Sequence, residues 1–379
     1  MKAFSRTKVG VLGGGQLGRM LIQSGINFDI QFKMLDSDAQ APCAQIAQEF
    51  VHGSLMDFKT VVKFGQELDV LTIEIEKVNA DALEELEKQG KKVFPQSHII
   101  RMIQDKRLQK QFYKDNKIPT SDFVLIDSLK ELDNYSDWLP AVQKLGRDGY
   151  DGRGVQMMRT PSDFKKGFEE PSLLEKMVEM EKEIAIIVSR NEAGEIKTFP
   201  AVELVYHPEH NLVDYLISPA DIPAEIEQKA KEITIDLVEK LSFVGILAVE
   251  LFWAKSGEIL VNEIAPRPHN SGHQTIEGNY TSQYEQHLRA ILNLPLGNTE
   301  IRQVSAMINI LGEEGYTGKA KYVGMDEILK MEGVYPHLYG KEITKPFRKM
   351  GHVTILGKNR EDVSQKIEHI RNNLKVISQ

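Results

Sequence analysis

Cysteine is almost missing from this chain of 379 residues; Cys43 is the single one. One thiol excludes an intramolecular disulfide and a cysteine metal cluster, and it suits a reducing cytosol. Long apolar runs are missing as well. The longest, residues 243–249, falls far short of the roughly 18 residues a membrane span needs. The opening stretch MKAFSRTKVGVLGGG carries positive charge but no signal-peptide core, because glycines cut its apolar run short. These absences point to a cytoplasmic protein. Basic charge is not in excess either: Lys and Arg total 47 against 55 Asp and Glu, a net charge of −8. General nucleic-acid binding needs a basic surface and is disfavoured. An anionic small molecule met by a few local cations is not excluded. His-Glu-x-x-His and Gly-x-Ser-x-Gly are absent, which argues against a zinc protease and a serine hydrolase. Internal repeats and low-complexity linkers are absent too.

What remains is ordinary globular composition, 41% hydrophobic and 27% charged, enough for two or three domains. Strand and helix patterns alternate over residues 8–94, with strands expected at 8–12, 30–35, 69–75 and 91–94 and a helix at 16–26. Alternation of this kind predicts a parallel, Rossmann-like sheet. Helical sequence follows from about residue 96 until Pro119 breaks it. Strands are expected at 139–144, 155–158, 184–189 and 198–204, and an amphipathic helix over 224–241.

Gly13-x-Gly15-x-x-Gly18 follows a strand and opens a helix, with Asp36 ending the next strand. This spacing lets backbone approach an anion at a helix N-terminus. It fits a dinucleotide, and it fits a phosphorylated substrate equally well. The second cluster places Gly146, Gly149, Gly152 and Gly154 between two strands, beside Lys144 and Arg153. No Gly-Lys-Ser/Thr follows, so this is not a Walker loop. A glycine hairpin of this kind can fold over a nucleotide and offer amides to its phosphates.

The third feature is a hairpin over 247–264. If its turn is centred between Ser256 and Gly257, Glu250 lies directly across from Glu263 on one face. Like charges held opposite each other destabilise a hairpin unless a cation lies between them. Mg²⁺ suits two carboxylates and completes its shell with phosphate oxygens. The pair therefore predicts a metal-nucleotide site. Directly after it comes Ala265-Pro266-Arg267-Pro268-His269-Asn270-Ser271-Gly272-His273, which gathers an anion-binding Arg and two His beside the proposed phosphates.

In this order, GGGQLGRM (13–20), GYDGRG (149–154) and NEIAPRPHNSGH (262–273), with YGK (339–341) and RKMGH (348–352), resemble the ATP-grasp superfamily. More closely they resemble the N5-carboxyaminoimidazole ribonucleotide synthetases. The resemblance implies an α/β, overall α+β, ATP-grasp fold. A Rossmann-like domain would take residues 1–104, an ATP-grasp region 105–295 with a lid at about 118–178, and a C-terminal subdomain 296–379. It implies ATP and Mg²⁺ as cofactors, with Glu250 and Glu263 as metal ligands. ATP contacts would come from Lys106, Lys144, Gly149, Tyr150, Asp151, Gly152, Arg153 and Gly154. Further ATP contacts would come from Glu175, Lys176, Met177, Val178, Glu183, Asn262 and Glu263. Substrate contacts would come from Gly15, Gln16, Leu17, Glu74, Glu76, Tyr150, Arg153, Arg267, His269, Asn270, Lys341 and Arg348. Arg267, His269 and Asp151 are the catalytic candidates, the last two as alternative proton acceptors. The glycine loop would face a ribose phosphate and not NAD. The implied reaction carboxylates aminoimidazole ribonucleotide with bicarbonate at the expense of ATP. The implied assembly is a homodimer working beside a separate mutase, without nucleic acid or membrane. Two departures stand out: Asp148 replaces a usual glycine, and residues 203–211 run about two residues longer than the common pattern. An NAD(P) dehydrogenase, a formate-using ribonucleotide transformylase and a non-catalytic nucleotide sensor are the competing readings.

Overall fold

Val, Leu and Ile dominate the first strands because both faces of their sheet are covered. In the computed structural model, which describes residues 6–147, 149, 154–206 and 213–379, these strands are all parallel. They are β1 (Lys8–Leu12), β2 (Gln31–Asp36), β3 (Glu49–His52), β4 (Val70–Ile73) and β5 (Lys92–Val93), in the order β3-β2-β1-β4-β5. Helix α1 (Gln16–Ile26) covers one face with Leu17, Met20, Leu21 and Ile22. Helices α2 (Phe58–Gly65) and α3 (Ala80–Lys88) cover the other with Val61, Phe64, Leu83 and Leu86. Strand β3 is not among the expected strands, since it is an edge strand flanked by Glu49 and His52 with no fully buried residue to make an apolar run. The order reverses between β1 and β4, so a crevice opens beyond their carboxyl ends, where ligands bind in open α/β sheets. The glycine loop and Glu74 meet in that crevice.

The helix expected from about residue 96 is two helices, α4 (Ser97–Ile103) and α5 (Lys106–Asp115). Asp105 interrupts them and caps α5 by accepting from the Arg107 amide at 3.0 Å. A small antiparallel sheet follows: β6 (Phe123–Ile126), β7 (Ala141–Leu145), β8 (Val155–Met158) and β9 (Ser172–Lys176), in the order β6-β9-β7-β8. It has its own core around Ile126, Leu132, Phe164 and Leu174.

The large sheet begins with β10 (Met180–Arg190), β11 (Ile196–Thr198), β12 (Val202–Tyr206) and β13 (Val213–Ser218). Residues 198–204, expected as one strand, divide between β11 and β12 because Pro200 has no N–H for the ladder. Helix α6 (Ala224–Lys240) buries Ile226, Ala230, Leu237 and Val238, the face its sequence period predicts. The hairpin β14 (Gly245–Ala254) and β15 (Ile259–Ala265) forms one edge. After α7 (Thr275–Gly278) and α8 (Gln283–Ile291), the chain re-enters the same sheet with β16 (Val304–Leu311), which pairs with β13. Strand β17 (Gly318–Val323) belongs to a three-stranded sheet with β19 (Ile343–Thr344) and β21 (Lys375–Ser378). Strands β18 (Val334–Leu338) and β20 (Lys349–Gly357) complete the large sheet at its far edge. Among the described residues no helix is long and apolar enough to cross a membrane.

Candidate active site

Glu250 and Glu263 face each other in β14 and β15, as the hairpin pattern predicts, but by a different route. Near the turn the register is one residue off the expected one: Leu251 faces Val261 and Trp253 faces Ile259. Continued unbroken, it would set Glu250 against Asn262. A bulge after Glu250 takes up Asn262 as an extra residue and brings Glu263 into place. The bulge also defeats the alternation of neighbouring side chains, so Asn262 and Glu263 both reach the same cleft. Asn262 Oδ1 accepts from Lys144 Nζ at 2.9 Å, and Glu263 Oε2 accepts from Lys106 Nζ.

Charge in this cleft is unevenly matched. Burial first, then the negative charges of Glu263 and Glu183, push the Glu250 carboxyl well above its ordinary range. The Lys106 ammonium holds Glu263 below its own. Burial and then the Glu263 charge raise Glu183 on β10, although the Tyr206 hydroxyl and Asn262 hydrogen-bond to it. A cavity of about 10 Å³, the size of one water-sized sphere, is lined by Ala248, Glu250, Glu263, Ile264, Ala265 and His269. Among the described residues no three His, Cys, Asp or Glu side chains form a metal cage. Two crowded carboxylates beside a small cavity fit a hard cation whose remaining ligands are not protein groups, as Mg²⁺ on a nucleotide requires.

Helix α5 supplies two lysines one turn apart. Lys106 takes Glu263, and Lys110 forms an ion pair with Glu175 at 3.1 Å. Lys144 Nζ on β7 donates to Glu175 Oε2 at 3.1 Å. Burial would raise the Glu175 carboxyl, but the Lys144 and Lys110 charges overcome it and hold it at about 2. Burial brings Lys110 down to about 8. Lys110 did not stand out in the sequence, although its i,i+4 spacing from Lys106 placed it on the same helix face. Glu175 therefore turns inward to the lysines. After it, Lys176 pairs with Asp122 at 3.1 Å and the Met177 amide donates to the Pro140 carbonyl at 3.1 Å. Val178 follows in the link to β10.

The Arg-Pro-His segment lies at the end of β15. Arg267 is fixed by Glu76 at 2.8 Å. His269 Nδ1 lies 2.9 Å from Ser271 Oγ, and its Nε2 faces Glu250 Oε1 at 3.8 Å. Burial, then Arg267 and Lys349, push His269 down to about 3, so it is a neutral ring and a weak proton acceptor. Gln283, at the start of α8, clamps the loop: it accepts from the His269 amide at 2.9 Å and donates to its carbonyl at 2.7 Å. Gly272 is required there, since a Cβ would lie 2.4 Å from Gln283 Oε1. Asn270 opens the short turn Asn270–Gly272. Behind it His352 stacks on His337 with ring centroids 4.4 Å apart, and His273 lies tilted against its other side at 4.7 Å. Tyr284 and Tyr339 hydroxyls bond the first two rings.

At the sheet crevice, Glu74 bends inward onto the glycine loop. Its carboxylate accepts from the Gly15 amide, and from the Gly18 amide at 2.6 Å. Asp36 accepts from the Gly14 amide at 2.6 Å. The glycine-loop amides are thus capped by the protein's own carboxylates, and any anion that binds there has to displace them. Gln16 and Leu17 begin α1 beside them. Lys341 Nζ donates to the Lys349 carbonyl at 2.7 Å, and Arg348 Nη1 to the Ile343 carbonyl at 2.5 Å. Lys349, unnoticed in the sequence, lies close enough to His269 to lower its pKa. The glycine hairpin is closed at its base by the Leu145 amide on the Gly154 carbonyl, 2.8 Å, and Gly149 packs against Gly154. Tyr150, Asp151, Gly152 and Arg153 lie outside the described residues, as does the departure at Asp148.

Residues 6–104 match the ribonucleotide synthetase preATP-grasp domain, 111–284 the ATP-grasp domain, and 305–366 the phosphoribosylaminoimidazole carboxylase C-terminal domain. N5-carboxyaminoimidazole ribonucleotide synthase of Bacillus subtilis is 35% identical over 95% of this chain and 94% of its own. The Thermotoga maritima N5-carboxyaminoimidazole ribonucleotide synthetase structure superposes with a TM-score of 0.91 at 40% identity, covering 98% of this chain and all of that one. An Aspergillus clavatus N5-carboxyaminoimidazole synthase, solved with ADP and 5-aminoimidazole ribonucleotide, has a TM-score of 0.88 at 33% identity, covering 97% and 98%. Against the chloroplastic phosphoribosylaminoimidazole carboxylase of Vigna aconitifolia, 38% identical over 95% of this chain, the chain spans 66% of that protein's length.

Proposed function

The chain belongs to the N5-carboxyaminoimidazole ribonucleotide synthases, ATP-dependent ligases of the ATP-grasp superfamily, and from that premise we propose its reaction. It carboxylates 5-aminoimidazole ribonucleotide with bicarbonate to N5-carboxyaminoimidazole ribonucleotide, releasing ADP and phosphate, in de novo purine biosynthesis. The observation that carries the reading is the convergence of Glu250, Glu263, Lys106 and Lys144 on one cleft, beside Arg267 and His269.

Bicarbonate oxygen attacks the γ-phosphorus of ATP, giving carboxyphosphate and ADP. The exocyclic amine of the ribonucleotide then bonds to the carboxyl carbon, phosphate departs and the amine loses a proton. Lys106 and Lys144 offset charge on the transferring phosphoryl group. Glu250 and Glu263 would hold Mg²⁺, which would offset that charge. Arg267, kept in place by Glu76, grips the carboxyphosphate. His269 is a neutral ring and a weak proton acceptor, so it orients substrate by a hydrogen bond and leaves Asp151 as the candidate to take the proton. The ribose phosphate approaches the glycine loop and displaces Glu74 from the Gly15 and Gly18 amides. Lys341, Arg348 and Asn270 complete the substrate side. The resemblance also supports a cytoplasmic homodimer whose product goes to a separate mutase.

Coupled ADP release tests this directly. Turnover should require aminoimidazole ribonucleotide and rise with bicarbonate. Formate-dependent turnover that ignores both would overturn it in favour of a transformylase.

A further inference from the structure

Lys110 is buried, with 3% of its side chain exposed. Its ammonium pairs with Glu175 at 3.1 Å, donates to Thr120 Oγ1, and lies 3.3 Å from Ser121 Oγ. Thr120 in turn donates to the Val261 carbonyl at 2.7 Å, and Ser121 donates to Glu175 Oε2 at 3.0 Å. One ammonium on α5 therefore ties together three pieces: strand β9, the segment entering β6, and, through Thr120, strand β15 next to Asn262 and Glu263.

Lys144 has a different situation. It is half of a pair with the same Glu175, at 3.1 Å, and it also holds Asn262 at 2.9 Å. A shift of this ammonium onto a phosphate takes it off Glu175. That carboxylate is only 4% exposed, and a buried carboxylate stripped of its cation is strongly unfavourable. Lys110 removes the difficulty, because it sits on the other carboxylate oxygen and stays there. Lys106 is not available for this duty, since Glu263 engages it.

We propose that Lys110 is a positioning residue for nucleotide binding: it keeps Glu175 neutralised so that Lys144 is released to the nucleotide phosphates. Lys110 acts through Glu175, and its position on α5 also fixes the entry to the small sheet while Lys144 moves. The inference rests on the nucleotide reading above and goes beyond it.

The test compares the full chain, Lys110→Met, Glu175→Gln and the double variant, by ADP binding in calorimetry and by steady-state kinetics. In the native background Lys110→Met should weaken ADP binding and raise KM for ATP by about tenfold or more, with kcat changed by less than about threefold. In the Glu175→Gln background the same change should move both by less than about twofold, because no carboxylate is left to trap Lys144. Equal losses in both backgrounds, or a fall in kcat with KM unmoved, overturn the proposal. If Lys110→Met alone does not fold, Glu175→Gln against the double variant decides: equal ADP affinities support it, and a tenfold loss on adding Lys110→Met overturns it. A native chain that binds no ADP would overturn the nucleotide reading as well, so the two failures are distinct.

Discussion

Glu250 is the residue at which stability and chemistry pull apart. Its folded carboxyl is raised by burial and by the charges of Glu263 and Glu183, above the ordinary value of 4.5. A carboxyl raised on folding costs stability as pH climbs above its unfolded value, because the unfolded chain ionises first. Glu250→Gln should therefore raise the Tm by on the order of 1–3 °C at pH 8 and leave it unchanged near pH 4. The same variant should release ADP about a hundredfold more slowly. Scanning calorimetry at the two pH values, beside the coupled assay, checks both halves; a lower Tm at pH 8 would mean that the pair is not strained. Glu263 behaves differently because Lys106 already compensates it. Glu263→Gln should give a comparable loss of rate and leave ADP affinity more than about tenfold weaker in the presence of Mg²⁺, measured by calorimetry.

At the scale of elements, two local devices aim the site. The bulge in β15 lets consecutive residues, Asn262 and Glu263, address one cleft, which a regular strand forbids. The start of α8 holds the loop after β15, with Gln283 satisfying both backbone groups of His269. Gln283→Leu keeps the volume but leaves a buried N–H and C=O unpaired. It should lower the rate of ADP release by about tenfold or more and destabilise the chain by about 1–3 kcal/mol. Thermal melts and the coupled assay on the purified variant test this; unchanged kcat would show that the loop holds itself. The pattern of apolar residues announced the hairpin and α6. It was silent on the bulge, because the extra residue is accommodated by pairing and leaves no period of its own. Nor did it announce Gln283, whose partners lie fourteen residues away across a turn.

At the scale of the molecule, α8 joins the parallel sheet to the large one. His287 Nε2 lies 2.9 Å from Thr72 Oγ1 on β4, and its Nδ1 accepts from the Ile246 amide on β14 at 3.2 Å. Burial pushes this imidazole from 6.5 down to about 3. A base lowered on folding stays neutral while its unfolded counterpart takes up a proton, so stability falls as pH drops below about 6.5 toward 3. The loss from this one group is about 1.4 kcal/mol per pH unit over that range. His287→Gln should flatten the slope between pH 6 and 5 by that amount in urea titrations, and an identical slope would show that other groups carry it.

The strand and helix alternation of the first sheet apart from β3, the face of α6 and the turn near Gly257 were determined by the sequence alone. Each rests on neighbours within a few positions, where backbone period and turn chemistry act. The partners of the charged groups were decided only by the tertiary structure. Lys106 meets Glu263 across 157 residues and Lys144 meets Asn262 across 118. Glu74 reaches the glycine loop across 59. No local pattern encodes such pairings, because a buried charge takes whichever opposite charge or hydrogen-bonding group folding brings within about 3 Å, and desolvation makes that choice binding.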